Sequence, residues 1–117
     1  MTTQEVANKF VEFCRTGQSE KAHNELYHPE VESFEMPNMP NPHIKGIEAI
    51  KAKNKDFDAS VTELHSAEIS DPTVVGNHFS LTMRYDMTFK ERGRSTMEEI
   101  CVYEVKDGKI ATERYFY

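Results

Sequence analysis

Apolar residues recur along this chain first with a helical period and then with a period of two. Val6, Phe10, Phe13 and Cys14 share one helical face, while Glu5, Lys9, Glu12 and Arg15 fall mostly elsewhere. That spacing predicts an amphipathic helix opened by Thr3 as cap and ended by Gly17, the residue type favoured just past a helix C-terminus. Ser19 is placed to cap a second helix reaching about Tyr27, with Ala22, Leu26 and Tyr27 on its buried side. This helix must stop near His28, because a residue preceding proline is pushed out of the α region. From Val31 to Met36 the chain alternates, with Val31, Ser33 and Glu35 on one face and Glu32, Phe34 and Met36 on the other, as a short strand does. Pro37, Pro40 and Pro42 then forbid a helix or a central strand, so the stretch through His43 is a loop and a candidate lid. Gly46 precedes a third helix from Ile47 to about Asp58, with Ile47, Ile50, Asn54 and Phe57 on one side, Asn54 interrupting the apolar stripe.

Beyond Ser60 the period of two takes over. Val61 to Ser70 places Val61, Glu63, His65, Ala67 and Ile69 on one face of a strand. After the Asp71-Pro72 turn, Val74 to Phe89 reads as one long strand. Its faces separate sharply: Phe79, Leu81, Met83, Tyr85, Met87 and Phe89 lie opposite His78, Ser80, Thr82, Arg84, Asp86 and Thr88. Six large apolar residues in succession on one face must cover a core, and the thioethers also suit an adaptable pocket wall. Arg92-Gly93-Arg94 turns the chain into a terminal hairpin, Ser95 to Val105 and Ile110 to Tyr117, around Asp107-Gly108, a strong hairpin signal. Helices followed by four consecutive antiparallel strands argue a single α+β domain over residues 1–117, with the helices on one face of the sheet.

Composition narrows the function. The chain has 20 acidic and 14 basic residues, a net charge of −6, whereas a nucleic-acid binder normally carries a basic excess. No stretch approaches the roughly 18 consecutive apolar residues of a membrane span. Met1-Thr-Thr-Gln-Glu carries no basic n-region, so a cytoplasmic protein without signal peptide is expected. Cys14 and Cys101 fall in different elements without metal-ligand spacing and are expected as free thiols. No three histidines have metal-ligand spacing, and no Ser/His/Asp, Walker or GxGxxG pattern occurs, so neither metal nor cofactor is expected.

Gly46-Ile-Glu-Ala-Ile at the third helix, and Val102-Tyr-Glu-Val-Lys-Asp-Gly-Lys-Ile-Ala-Thr-Glu-Arg-Tyr-Phe-Tyr at the close, resemble the SnoaL-like branch of the nuclear transport factor 2-like superfamily. Element order, length and the mid-chain proline loop agree across nearly the whole chain. The resemblance implies a cone, in which three helices pack in a strongly curved antiparallel sheet whose open end holds an apolar pocket. It also implies a small hydrophobic carbonyl or polyketide-like ligand, and a homodimer through the outer sheet face carrying Ser80, Thr82 and Arg84. Fold does not fix activity, since the superfamily includes cyclases, isomerases, hydrolases and non-enzymatic proteins. Neither the Tyr and Asp pattern of ketosteroid isomerases nor the Asp-Arg-Asp set of limonene epoxide hydrolases maps onto this sequence.

Given that fold, the pocket mouth collects Tyr27, His28, Phe34, Met36 and Phe57, while Phe79, Met83, Tyr85 and Met87 line the inner wall. For the hairpin, the face bearing Met97, Glu99, Cys101 and Tyr103 competes with one bearing Ile100 and Val102. In the last strand, Glu113 and Tyr115 compete with Ile110, Arg114 and Phe116. The first face of each pair places Glu99 and Glu113 among apolar side chains. Desolvation raises the pKa of such a carboxyl, which suits abstraction of a proton beside a carbonyl. Tyr103, Tyr115 or Tyr27 is then a donor to a developing enolate oxygen. His65, on a face with Val61 and Ile69, is a further acid/base candidate. His43 carries a weaker claim, and His78 and His23 are expected at the surface. The competing expectation is a non-catalytic module whose buried glutamates are structural.

Overall fold

The first helical pattern becomes α1 (Thr3–Arg15), and its start shows why the cap is Thr2 rather than Thr3. Thr2 Oγ1 accepts from Glu5 N at 3.1 Å, while Glu5 Oε1 accepts from Thr2 N at 2.9 Å. This capping box needs a spacing of three, which only Thr2 has from Glu5. Chain reversal follows at Gly17, whose φ of 70° is the left-handed conformation glycine adopts without strain. The computed structural model describes residues 1–117. Its second helix, α2 (Ser19–Leu26), buries Ala22, His23 and Leu26. His23 is therefore not a surface residue: it is 6% exposed, edge-on to Tyr27 with ring centres 4.9 Å apart, and within 3.2 Å of Asn54 Nδ2.

Tyr27 leaves the helix and opens β1 (Tyr27–Phe34), four residues before the alternation at Val31 begins. Pro29 is accommodated where the pairing register shifts, between Tyr27 and Glu32. The proline loop closes through Glu35 N donating to Pro42 O at 2.7 Å, and a short β2 (His43–Lys45) returns antiparallel to β1. Then come α3 (Ile47–Ser60) and β3 (Val61–Ile69). The long strand expected from Val74 is instead two, β4 (Thr73–Val75) and β5 (His78–Phe89). Gly76, at φ 61°, supplies the positive φ that a two-residue hairpin requires between Val75 and His78. The chain ends with β6 (Gly93–Lys106) and β7 (Lys109–Phe116). Both residues of their Asp107-Gly108 turn have positive φ, at 52° and 74°.

The sheet runs β2-β1-β7-β6-β5-β3, with β4 added against β5. It is mixed rather than wholly antiparallel, because β1 lies parallel to β7. One face of the curved sheet packs on α1. Phe10 reaches Tyr103, Phe79 and Tyr27 at ring distances of 4.6, 5.9 and 6.2 Å, and Phe79 stacks on Tyr103 at 4.7 Å. Five of the six apolar residues expected on one face of β5 are buried; Tyr85, half-buried, is the exception.

Two irregularities decide which side chains enter. In β7 the pairing passes from Val105↔Ile110 to Glu104↔Thr112, so Ala111 is an extra residue. This bulge lets Ile110 and Glu113 both face inward, although strict alternation would separate them. In β3 the register slips at Thr62 and again at His65. The residues across from the buried row of β5 are consequently Val61, Leu64, Ala67 and Ile69 rather than every second residue.

Candidate functional site

Glu113 is the most deeply placed charged-type side chain, 3% exposed on the inner face of β7. Its Oε1 accepts from Tyr27 Oη at 2.6 Å and its Oε2 from Ser33 Oγ at 2.7 Å. The parallel pairing of Ser33 with Glu113 brings these groups together. A buried carboxyl with both oxygens engaged is held rigidly and has its polar demand met from β1.

Glu99 sits on the same face of β6, two residues from Cys101, and pairs across strands with Met83. Its one side-chain partner is a weak one, the Cys101 thiol, with Sγ to Oε1 at 3.7 Å. Burial is the main cause raising Glu99 from the ordinary 4.5 to about 7; the Glu35 and Glu113 carboxylates add to it, while Cys101 and Lys53 oppose it. Next along the same face from the Met83–Glu99 pair is the Tyr85–Met97 pair. The Tyr85 hydroxyl donates to Met83 Sδ at 3.3 Å, a weak acceptor readily exchanged for a better one. Burial pushes the Tyr85 phenol upward, so it stays a neutral donor.

Several expected wall residues belong elsewhere. Phe34 faces outward, with the Arg114 guanidinium 3.9 Å from its ring centre and His43 stacked at 4.7 Å. The inward residues of β1 are Val31 and Ser33, both fully buried, so the opposite parity from that of Phe34 and Met36 holds. Met36 lies half-buried beyond the end of the strand. His28 makes a local contact, its Nδ1 accepting from Glu30 N at 3.0 Å. His65 bulges from β3 toward the other face, 2.7 Å from Thr88 Oγ1 and 2.9 Å from Glu63 Oε2, and does not join the glutamates. His78 is exposed, 3.9 Å from Glu104. Phe79 and Tyr103 are inner-face residues sealed in the core. Phe57 is 39% exposed and packs edge-on against Phe89 at 5.9 Å. Tyr27, Met83, Tyr85, Met87, Met97, Cys101 and Tyr115 do share the inner side with Glu99 and Glu113.

A groove of about 490 Å³ runs between Glu68, Thr82, Arg84, Glu98, Ile100 and Phe116 and is also lined by Ile69, Met83 and Glu99. Arg84 is bridged there to both Glu98 and Glu68, so its guanidinium is outnumbered by carboxylates and is not free for an anionic ligand.

The model of the SnoaL-like domain family matches residues 1–117, the full length of this chain. A solved Mesorhizobium loti protein, provisionally named a SnoaL-like polyketide cyclase, is 33% identical over all of both chains, with a TM-score of 0.94. The chain belongs to the SnoaL-like family. No curated protein sequence matches it. More distant structures share the fold of this SnoaL-like chain. TerC, co-crystallised with polyporic acid, is 15% identical over 98% of this chain and 90% of its own, at TM-score 0.76. A Catenulispora acidiphila protein with a ketosteroid isomerase-like fold, in complex with trimethylamine, is 16% identical over 97% and 85%, at TM-score 0.74.

The SnoaL-like chain also has site neighbours that sequence reasoning passed over: Ser33, Glu35, Lys53 and Tyr117. Glu35 is ion-paired with Lys53 and accepts from Tyr117 Oη at 2.8 Å. The Lys53 ammonium lies 5.6 Å from the ring centre of Tyr115. Only Ser33 had a signal, its alternation with Val31, which puts it on the face of a buried valine. No group of three or more His, Cys, Asp or Glu gathers with metal-ligand geometry, and no helix is long and apolar enough to cross a membrane.

Proposed function

We propose that this SnoaL-like protein binds a small hydrophobic carbonyl compound on the inner face of its sheet and moves a proton at the adjacent carbon. Glu99 is the base. The observation that carries this reading is a carboxyl on the face of Met83, Met97 and Tyr85 with only a thiol as side-chain partner. A titration point of about 7 makes it half ionised at neutral pH, suited both to taking a proton and to returning it. In the forward step the C–H electron pair becomes the enolate and the proton goes to Glu99. In the reverse step Glu99 returns the proton, to the same carbon or to a conjugated one. Tyr85, released from the Met83 sulfur, is the neutral donor to the carbonyl oxygen. The likeness to a protein named as a polyketide cyclase, and to one crystallised with polyporic acid, supports an oxygenated hydrophobic ligand.

A non-catalytic binding or dimerisation module is the competing reading, and Glu113 favours it, since that carboxyl is already satisfied within the fold. Exchange of the α-protons of a cyclic ketone in deuterated water separates the two. Catalysed exchange should rise with pH and level off above about 7, as Glu99 ionises. Exchange no faster than in buffer, for a ketone shown to bind, would leave binding as the function.

A further inference from the structure

The tyrosines first expected to receive a ligand oxygen are largely committed. Tyr27 donates to Glu113, and Tyr103 is fully buried between Phe10 and Phe79, its hydroxyl without a partner but enclosed by the core. Lys53 is placed differently. It reaches from α3 over the ring of Tyr115, an inner-face residue, and its side chain remains 38% exposed. An ammonium has three donors, and Glu35 is the one side-chain acceptor that Lys53 engages. Glu35 has a second donor in Tyr117, so it stays satisfied when Lys53 turns toward a ligand.

Charge restricts what that ligand is. Glu99 and Glu113 share the inner side with Tyr115, over whose ring Lys53 reaches, and Glu35 is paired to Lys53, so three carboxylates stand against one ammonium. A ligand that arrives as a carboxylate meets a surplus of negative charge. A neutral carbonyl compound brings none, and when Glu99 takes its proton the charge only moves from Glu99 to the ligand oxygen. An ammonium fixed beside that oxygen stabilises the product of the transfer more than the reactant, the difference that lowers a barrier.

We infer that Lys53 is a specificity-determining residue of this site, reading an oxygen that becomes anionic on a ligand that enters neutral. The inference rests on the carbonyl-ligand reading above and names the chemical class that the site selects.

Naphthalene, β-naphthol and β-naphthoate separate the two claims, because they share one apolar skeleton. Their affinities are measured by fluorescence, and ionisation of bound naphthol by its absorbance, in the wild-type protein, Lys53→Met and Lys53→Arg. The wild type should bind naphthol about tenfold or more tightly than naphthalene, the size of effect a charge-assisted hydrogen bond gives. It should bind naphthoate less tightly than naphthol, and naphthol bound to it should ionise at a lower pH than naphthol bound to Lys53→Met. Lys53→Met should remove the naphthol preference and the ionisation shift while keeping naphthalene affinity; Lys53→Arg should retain both. Equal loss of all three ligands in Lys53→Met, a preference that survives it, or naphthoate bound as tightly as naphthol would overturn the role of Lys53 alone. No binding of any of them to the wild type would count first against an apolar ligand site, and the assignment of Lys53 would fall with it. Should Lys53→Met not fold, Lys53→Gln takes its place with the same expected and overturning results.

Discussion

Glu113→Leu is expected to destabilise the protein by about 2–5 kcal/mol, because it leaves two buried hydroxyls, those of Tyr27 and Ser33, without an acceptor. Each orphaned donor costs about 1–3 kcal/mol, and the shorter branched side chain leaves part of the carboxyl volume unfilled. The loss falls on the seam between β1 and β7, where the parallel pairing that completes the mixed sheet is made. Urea unfolding checks it: the midpoint should fall with little change in slope. Glu113→Gln should cost less, since the amide oxygen still accepts one hydroxyl and the other can rotate to accept. A loss under about 1 kcal/mol for the leucine variant would show that these hydrogen bonds contribute little.

Glu99→Gln should leave the fold intact and lower catalysed proton exchange by about 10²- to 10⁴-fold, the range general-base catalysis supplies. Its stability should also depend on pH in the direction opposite to that of a salt-bridged carboxylate. Glu99 has a folded pKa of about 7 against an ordinary 4.5, so the folded state favours its protonated form. That preference contributes fully below the unfolded value and is lost as pH rises through the folded one. Wild-type stability should therefore decline between about pH 4.5 and 7 from this group, while Glu99→Gln shows no such decline. Because Glu99 is only partly buried, the difference at pH 8 is on the order of 2 kcal/mol in favour of the variant. A variant with unchanged exchange rate and an unchanged pH profile would remove Glu99 from the mechanism.

Much of the fold was legible because single strand faces carried one chemical type. The β5 row from Phe79 to Phe89 left no alternative face, and Asp107-Gly108 fixed the hairpin after β6. The choice of face in β7 was not decidable from alternation, because Ala111 breaks it, while both faces of β6 mix apolar and acidic residues. With the bulge in place, Ile110 and Glu113 are both inside and neither must be sacrificed. His65 was misplaced for the same reason, since the slips at Thr62 and His65 reverse parity along β3. Such bulges answer to sheet curvature, a tertiary property that no window of a few residues contains. In β1 the large apolar residue pointed the wrong way. Phe34 is covered outside by Arg114 and His43, while small, polar Ser33 is buried because Glu113 awaits it across the strands. Hydrophobicity alone ranks those two residues in reverse; only the long-range partner corrects the order. Lys53 and Glu35 went unnoticed because each is unremarkable in its own segment, and only the approach of α3 to the end of β1 joins them.

The most direct test of Glu99 as a base poised for proton transfer is carboxyl-carbon NMR titration of glutamate-labelled protein, with Glu99→Gln identifying the resonance. The expected midpoint for Glu99 is about 7. A midpoint near the reference value of about 4.3, or below it, would mean a solvated or paired carboxylate and would contradict the proposed proton-transfer role.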